Sequence, residues 1–184
     1  MLLEIFIDLI KCKLELCQED KIIKAYPVAV GAKKTPSPVG NYNVINKAHW
    51  GGGFGTRWMQ LSVPWGTYGI HGTNRPDSIG KQVSHGCIRM HNRDVEEVYE
   101  QVEIGTKVYI KGPIAYNLSV NGSRGNLVQL IQQALKEQGY YGGICDGIFE
   151  GRTEKSVCQW QKEKNILVTG QINQVNLNDL GILL

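Results

Sequence analysis

The chain has 184 residues, 42% of them apolar and 20% charged, with a formal net charge of +3. That length fits one or two domains and that composition can bury a core, which excludes collagen-like, low-complexity and acidic disordered classes. No apolar run approaches the ~18 residues of a membrane span, and so weak a positive charge does not argue for nucleic acid. The charge is uneven. Residues 1–112 carry 14 Lys/Arg against 11 Asp/Glu and all four histidines, whereas residues 113–184 carry six of each sign. A modest positive excess suits attraction to an anionic polymer. The five cysteines (Cys12, Cys17, Cys87, Cys145, Cys158) have no zinc-ribbon or zinc-finger spacing, and no metal or cofactor is expected. Cys12 and Cys17 are close enough in sequence to pair across a hairpin. The opening Met-Leu-Leu-Glu-Ile-Phe-Ile-Asp has no basic n-region and does not read as a secretory signal.

In chain order, residues 3–9, 13–17 and 21–30 read as strands, with Glu19-Asp20 turning the second into the third. A Pro-rich loop, Thr35-Pro36-Ser37-Pro38, leads to a strand over 41–46. The run Gly51-Gly52-Gly53-Phe54-Gly55 predicts a loop or tight bend, followed by strands over 58–62 and 67–71. Val95, Val98, Tyr99 and Val102 recur at helical spacing, so 92–103 predicts a helix with Asn92 as N-cap. Residues 106–110 return to strand. The segment 113–121 reads as a linker. Beyond it Leu127, Leu130, Ile131, Ala134 and Leu135 form one apolar helical face that Gly139 ends. Thr153 is placed to cap a second helix, and 173–183 can form a third. Tyr140, Phe149 and Trp160 would fill that small core.

Chemistry concentrates in Ile70-His71-Gly72-Thr73 and Ser84-His85-Gly86-Cys87-Ile88-Arg89. Cationic or hydrogen-bonding neighbours lower a thiol's pKa, and glycine lets a backbone N–H approach a reacting carbonyl. His71 lies 16 residues before Cys87, across turn residues that can bring two strand ends together. This permits a Cys–His nucleophilic pair. For an isolated Cys the default is an inert buried thiol; His85 reads as a structural hydrogen-bonder rather than a base, and His91 and His49 read as loop-bracing or solvated. Trp50, Trp58 and Trp65 read as core or rim.

The two blocks, with Ala29-Val30-Gly31, Thr35-Pro36, Pro38-Val39-Gly40 and Phe54-Gly55-Thr56-Arg57-Trp58, resemble the signature of the L,D-transpeptidase catalytic domain (YkuD) family over roughly residues 1–112. Residues 122–184 resemble a peptidoglycan-binding helical module, through 128–135, Gly139, Asp146-Gly147-Ile148-Phe149, Thr153 and Trp160-Gln161. The resemblance implies an α+β multidomain chain: a mainly-β catalytic domain (a β-sandwich with one short helix) over 1–112, a linker over 113–121 and an all-α three-helix domain over 122–184. It implies Cys87 as the acyl-accepting thiol, His71 as its base and the Gly72 carbonyl orienting the imidazole. Backbone N–H groups at Gly86 and Cys87 would form an oxyanion hole. Arg89, Ser84 and His85 would contact substrate. Many family members have Asn where this chain has Arg89. The implied reaction cross-links peptidoglycan stem peptides, releasing D-Ala. The alternatives are an L,D-carboxypeptidase or endopeptidase using the same pair, or a non-catalytic wall-binding protein. The implied partners are stem peptides and glycan strands met by a monomer. The implied location is the cell wall or another extracytoplasmic polymer, with a spore cortex or coat possible.

Overall fold

The computed structural model describes residues 3–19, 21–114 and 119–182. The expected turn residue Asp20 lies outside them. Two compact units divide the chain, Met1–Pro113 and Ile114–Leu184.

The first unit is mainly β. β1 (Leu3–Asp8) and β2 (Lys13–Gln18) alternate so that Ile5, Ile7, Leu14 and Leu16 are buried. β3 (Lys21–Pro27) follows, then β4 (Val30–Gly31), β5 (Gly40–Ala48), β6 (Trp58–Leu61), β7 (Tyr68–His71), β8 (Gln82–Ser84), β9 (Ile88–Arg89) and β10 (Lys107–Lys111). Eight strands form one sheet in the order β3-β2-β1-β10-β5-β6-β7-β9, and β4 pairs with β8 in a second, two-stranded sheet. β3 and β9 are thus opposite edges of the large sheet. Yet Ala29, two residues past the end of β3, exchanges both backbone hydrogen bonds with Arg89 of β9 (2.8 and 2.9 Å). The sheet must therefore curl until its edges nearly meet. The single strand expected over 21–30 is broken for this reason: after Pro27 the chain leaves β2 to bond β9. β8 and β9, too short to show periodicity, were not expected.

Helix α1 (Asn92–Gln101) buries Val95 and Val98. Lys47 on β5 donates to the carbonyls of Tyr99 and Val102 (2.7 and 2.5 Å), satisfying its last turn. Its N-cap is His91, not Asn92. The Asn92 side chain leaves the helix for another partner, described below.

The second unit holds α2 (Asn126–Glu137), α3 (Gly151–Glu163) and α4 (Gln174–Asp179) around Leu127, Val128, Ile131, Leu135, Phe149, Val157 and Trp160. Tyr140 only packs against this core, while Tyr141 enters it. Thr153 is not a cap. It lies inside α3, is buried, and receives a hydrogen bond from Gln132 (3.1 Å). α4 is shorter than expected, and Asn173 caps it in a reciprocal box with Asn176. Among the described residues no helix is long and apolar enough to cross a membrane.

The fully buried Gln132 ties this unit together. Its amide N–H₂ lies within 2.9–3.3 Å of Tyr141 Oη, Asp146 Oδ1, the Ile148 carbonyl and Thr153 Oγ1. Its carbonyl accepts the Gly147 N–H at 2.8 Å. Gln132→Leu conserves volume but orphans these groups, at about 1–3 kcal/mol for each left unpaired. The expected result is a lower thermal midpoint for the helical CD signal with Cys87 chemistry unchanged. An unaltered midpoint would remove Gln132 from this role.

Candidate active site

β7 and β9 are adjacent and parallel, with Ile70 opposite Ile88 and His71 opposite Arg89. Ile70 and Ile88 are buried in the core, so alternation sends His71, Cys87 and Arg89 to the other face. The same register puts Cys87 level with Gly69, whose N–H bonds the Cys87 sulfur. Nucleophile and base candidates are thus two residues apart along one strand pair.

His71 is 3% exposed. Its ring meets Phe54 edge-on (centroids 5.0 Å) and tilts against Trp58 (5.6 Å). Nδ1 donates to the Gly72 carbonyl at 2.5 Å. A carbonyl can only accept, so Nδ1 carries the proton and Nε2 keeps a lone pair. Burial pulls the imidazole pKa down to about 4, helped by the Arg89 charge and opposed by the Gly72 and Phe54 carbonyls. His71 is therefore neutral near pH 7. Burial also pushes the Cys87 thiol up, against the Gly69 N–H and Arg89, which pull it down. The resting pair is thiol and neutral imidazole, not thiolate and imidazolium.

The turn carrying Cys87 is built on Ser84. Its hydroxyl donates to the Cys87 carbonyl (2.6 Å) and accepts the Gly86 N–H (3.0 Å). The Ser84 carbonyl accepts from Thr35 Oγ1 and the Ala32 N–H, both at 2.9 Å. Ser84 is fully buried, which corrects the expectation that it touches substrate: it sits beneath the turn. The Gly86 N–H, committed to Ser84, is likewise not an open oxyanion donor. Gly86 is needed for shape: its φ is +115°, and a Cβ there would lie 2.7 Å from the Tyr68 ring. His85 is exposed on the outer side of the turn, and Arg89 is half-buried.

Tyr68 escapes sequence reasoning, and so does the way Trp50, which does lie at the rim, joins Phe54 beside His71. Tyr68, half-buried beside Cys87, is held by a hydrogen bond with Trp65. Trp50 stacks on Trp58 (4.8 Å, 16°) and meets Phe54 edge-on (5.0 Å). With Trp50 46% and Phe54 41% exposed, an open aromatic edge adjoins His71. The Gly-rich run next to Trp50 was the available signal. It read as loop because its contacts depend on β6–β7 pairing. Cys12 is a free thiol, so the Cys12–Cys17 bridge is not formed. Among the described residues no cluster of three or more His, Cys, Asp or Glu could hold a metal.

Comparison with known proteins agrees with this geometry. Residues 3–110 match the family model described as "L,D-transpeptidase catalytic domain" (YkuD), and residues 124–178 match "Putative peptidoglycan binding domain". The chain is 51% identical over 98 residues to "Putative L,D-transpeptidase YkuD" of Bacillus licheniformis, and 50% identical to that of Bacillus subtilis. Each match covers 53% of this chain and 58% of the relative, so the chain spans under two thirds of their length. The catalytic domain of the Enterococcus faecium L,D-transpeptidase superposes with a TM-score of 0.53 at 25% identity, covering 59% of this chain and 96% of that one. An L,D-transpeptidase of Mycobacterium smegmatis shares the fold at 19% identity and a TM-score of 0.52, covering 60% of this chain and 58% of that one. With most of its first unit matched and a neutral Cys–His pair on adjacent parallel strands, the chain belongs to the YkuD family of L,D-transpeptidase catalytic domains.

Proposed function

We propose that this chain is an L,D-transpeptidase that cross-links peptidoglycan stem peptides through an acyl-enzyme at Cys87. The observation that carries the reading is the His71–Gly72 bond, which leaves Nε2 as the only basic nitrogen of the ring on the face that Cys87 shares. In the first half-reaction the Cys87 sulfur attacks the carbonyl at the L-centre of a diamino acid that precedes D-Ala. His71 Nε2 takes the thiol proton as the S–C bond forms. The Cys87 N–H receives the oxyanion, since that of Gly86 is occupied. Collapse breaks the C–N bond, and His71 returns the proton to the departing amine of D-Ala. A thioester remains. In the second half-reaction the side-chain amine of another stem peptide attacks it, passes a proton to His71 and releases the thiol.

A neutral pair suits this order of events. A thiol needs less help than an alcohol, and an unprotonated imidazole can accept its proton. Arg89, beside both groups in register and charge, is our candidate to bind a substrate carboxylate in a bidentate manner. His85, exposed at the turn, is a candidate rim contact. The helical unit holds the enzyme on its polymer, raising local substrate concentration without new contacts at Cys87. This puts the chain's work at the wall or another extracytoplasmic peptidoglycan. Free thiols at Cys12, Cys145 and Cys158 suit synthesis in a reducing compartment, as in a cell that surrounds its own forming spore and faces the cortex.

Incubation with a stem tetrapeptide should add the acyl mass to Cys87 with release of D-Ala, and an acceptor amine should convert the adduct to a cross-linked dimer. Cys87→Ala should give neither. Turnover by that variant would overturn the assignment. Hydrolysis that an acceptor amine never suppresses would make the enzyme an L,D-carboxypeptidase.

His71→Ala should slow acylation by roughly 100–10,000-fold, as for a lost general base. In the wild type the acid limb of acylation should fall near pH 4, where His71 takes up its proton, leaving the rate flat from neutral to about pH 5. The folded imidazole titrates below its ordinary 6.5, so stability should also drop as pH falls from about 6.5 towards 4. A limb near 6.5 would contradict the burial argument.

Removal of residues 122–184 should leave turnover of a soluble stem peptide nearly unchanged and abolish retention on insoluble sacculi in a pull-down. Equal retention would show that the catalytic unit anchors itself.

A further inference from the structure

The group that orients His71 is a peptide, and a peptide has two ends. The Gly72 carbonyl accepts from His71 Nδ1 (2.5 Å), and the N–H of the same peptide, that of Thr73, donates to Asn92 Oδ1 (3.0 Å). In a trans peptide these two bonds point in opposite directions, so the imidazole and the Asn92 amide grip one rigid plane from either side. The surrounding backbone is fixed as well. The His71 carbonyl accepts the Met90 N–H (2.8 Å), and the Gly72 N–H donates to Arg57 (3.1 Å). Thr73 is buried. The space that Asn92 occupies has been cleared for it: a Cβ on either Gly55 or Gly72 would collide with Asn92 Oδ1. Gly55 also has φ +63°, a conformation glycine adopts freely. Two glycines thus open a slot between the loops, and an amide from the first turn of α1 fills it, giving up a cap on its own helix.

We propose that Asn92 is a positioning residue of the acyl-transfer site, acting through the Gly72–Thr73 peptide to aim and polarise the carbonyl that orients His71. Its side chain lies on the far side of that peptide from the imidazole, on the Thr73 N–H. Hydrogen bonds in a chain polarise one another, so a bond accepted from the Thr73 N–H makes the Gly72 oxygen a better acceptor for Nδ1–H. It also stops the peptide from rotating, which would free the imidazole to turn or change tautomer. The inference rests on the reading of His71 as the base.

The test is the rate of Cys87 acylation by a stem tetrapeptide, followed by mass spectrometry across pH, with thermal midpoints measured in parallel. Asn92→Ala should lower the rate at neutral pH at least tenfold. Asn92→Asp keeps the acceptor oxygen and should stay within about threefold of the wild type at neutral pH. Its added negative charge should favour the imidazolium and move the acid limb to higher pH, against the Arg89 charge on β9 that holds it down. A merely structural role would make both variants lose rate in step with their midpoints and leave the limb in place. That result, or an Asn92→Ala rate within twofold of the wild type, overturns the proposal. If Asn92→Ala does not fold, the limb of Asn92→Asp decides. His71→Ala separates the two readings: a wild-type rate there defeats the base assignment itself, while a collapsed rate with an unmoved Asn92→Asp limb defeats only the role of Asn92.

Discussion

The site depends on one hydrogen bond, from His71 Nδ1 to the carbonyl of the next residue. Many nucleophilic sites orient the base with a carboxylate, which also stabilises the imidazolium by its charge. A carbonyl orients without supplying that charge. It fixes the tautomer as firmly, because it cannot donate, but it leaves the protonated ring poorly stabilised in a buried place. The low pKa of His71, about 4, is the expected consequence. A base this weak would serve an alcohol badly. It suits a thiol, whose proton is more acidic and whose sulfur is the better nucleophile. The choice of cysteine and the absence of a side-chain acid at this bond are two sides of one constraint.

Placing that carbonyl shapes the nearby backbone. The chain must turn directly after β7 while its last strand residue is still paired on both sides, to Trp58 and to Arg89. The turn therefore lies within reach of the start of α1 and the end of the Gly-rich loop. The curl of the sheet serves the same end. By bringing Ala29 onto β9, it braces the short strand that follows Cys87, which otherwise would be a two-residue edge. Beneath the turn, Ser84 takes up the Gly86 N–H and the Cys87 carbonyl.

What was legible in the sequence follows the range of the forces involved. β1, β2 and α1 show their periodicity because their buried positions repeat locally. The His71 and Cys87 blocks are read from residue types in a fixed order. β8 and β9 are too short to carry a period, and they exist because long-range pairing with β4 and β7 holds them. Local propensity makes helix caps of Asn92 and Thr153, and in both a tertiary partner prevails: the Thr73 N–H for one, Gln132 for the other. Membership of the signature block marks Ser84 as a substrate contact. Its burial depends on Ala32 and Thr35, some fifty residues earlier, which no local pattern reveals. The aromatic edge of Trp50 and Phe54 was hidden in the same way by its dependence on β6.

Arg89 couples the two reacting groups electrostatically. In the free site its charge acts on both partners in the same direction, lowering the imidazole and the thiol together. For the thiol this is help. For the imidazole it is a cost, since a proton arriving on Nε2 must sit near a fixed positive charge. A substrate carboxylate docked on the guanidinium, as proposed above, neutralises much of that charge. Nε2 then becomes a stronger base at the moment a donor peptide is present. The thiol loses some of its assistance in the same step, but the Gly69 N–H at its sulfur is unaffected. Docking therefore raises the proton affinity of both partners together, and the Gly69 N–H is the contact that still favours the thiolate.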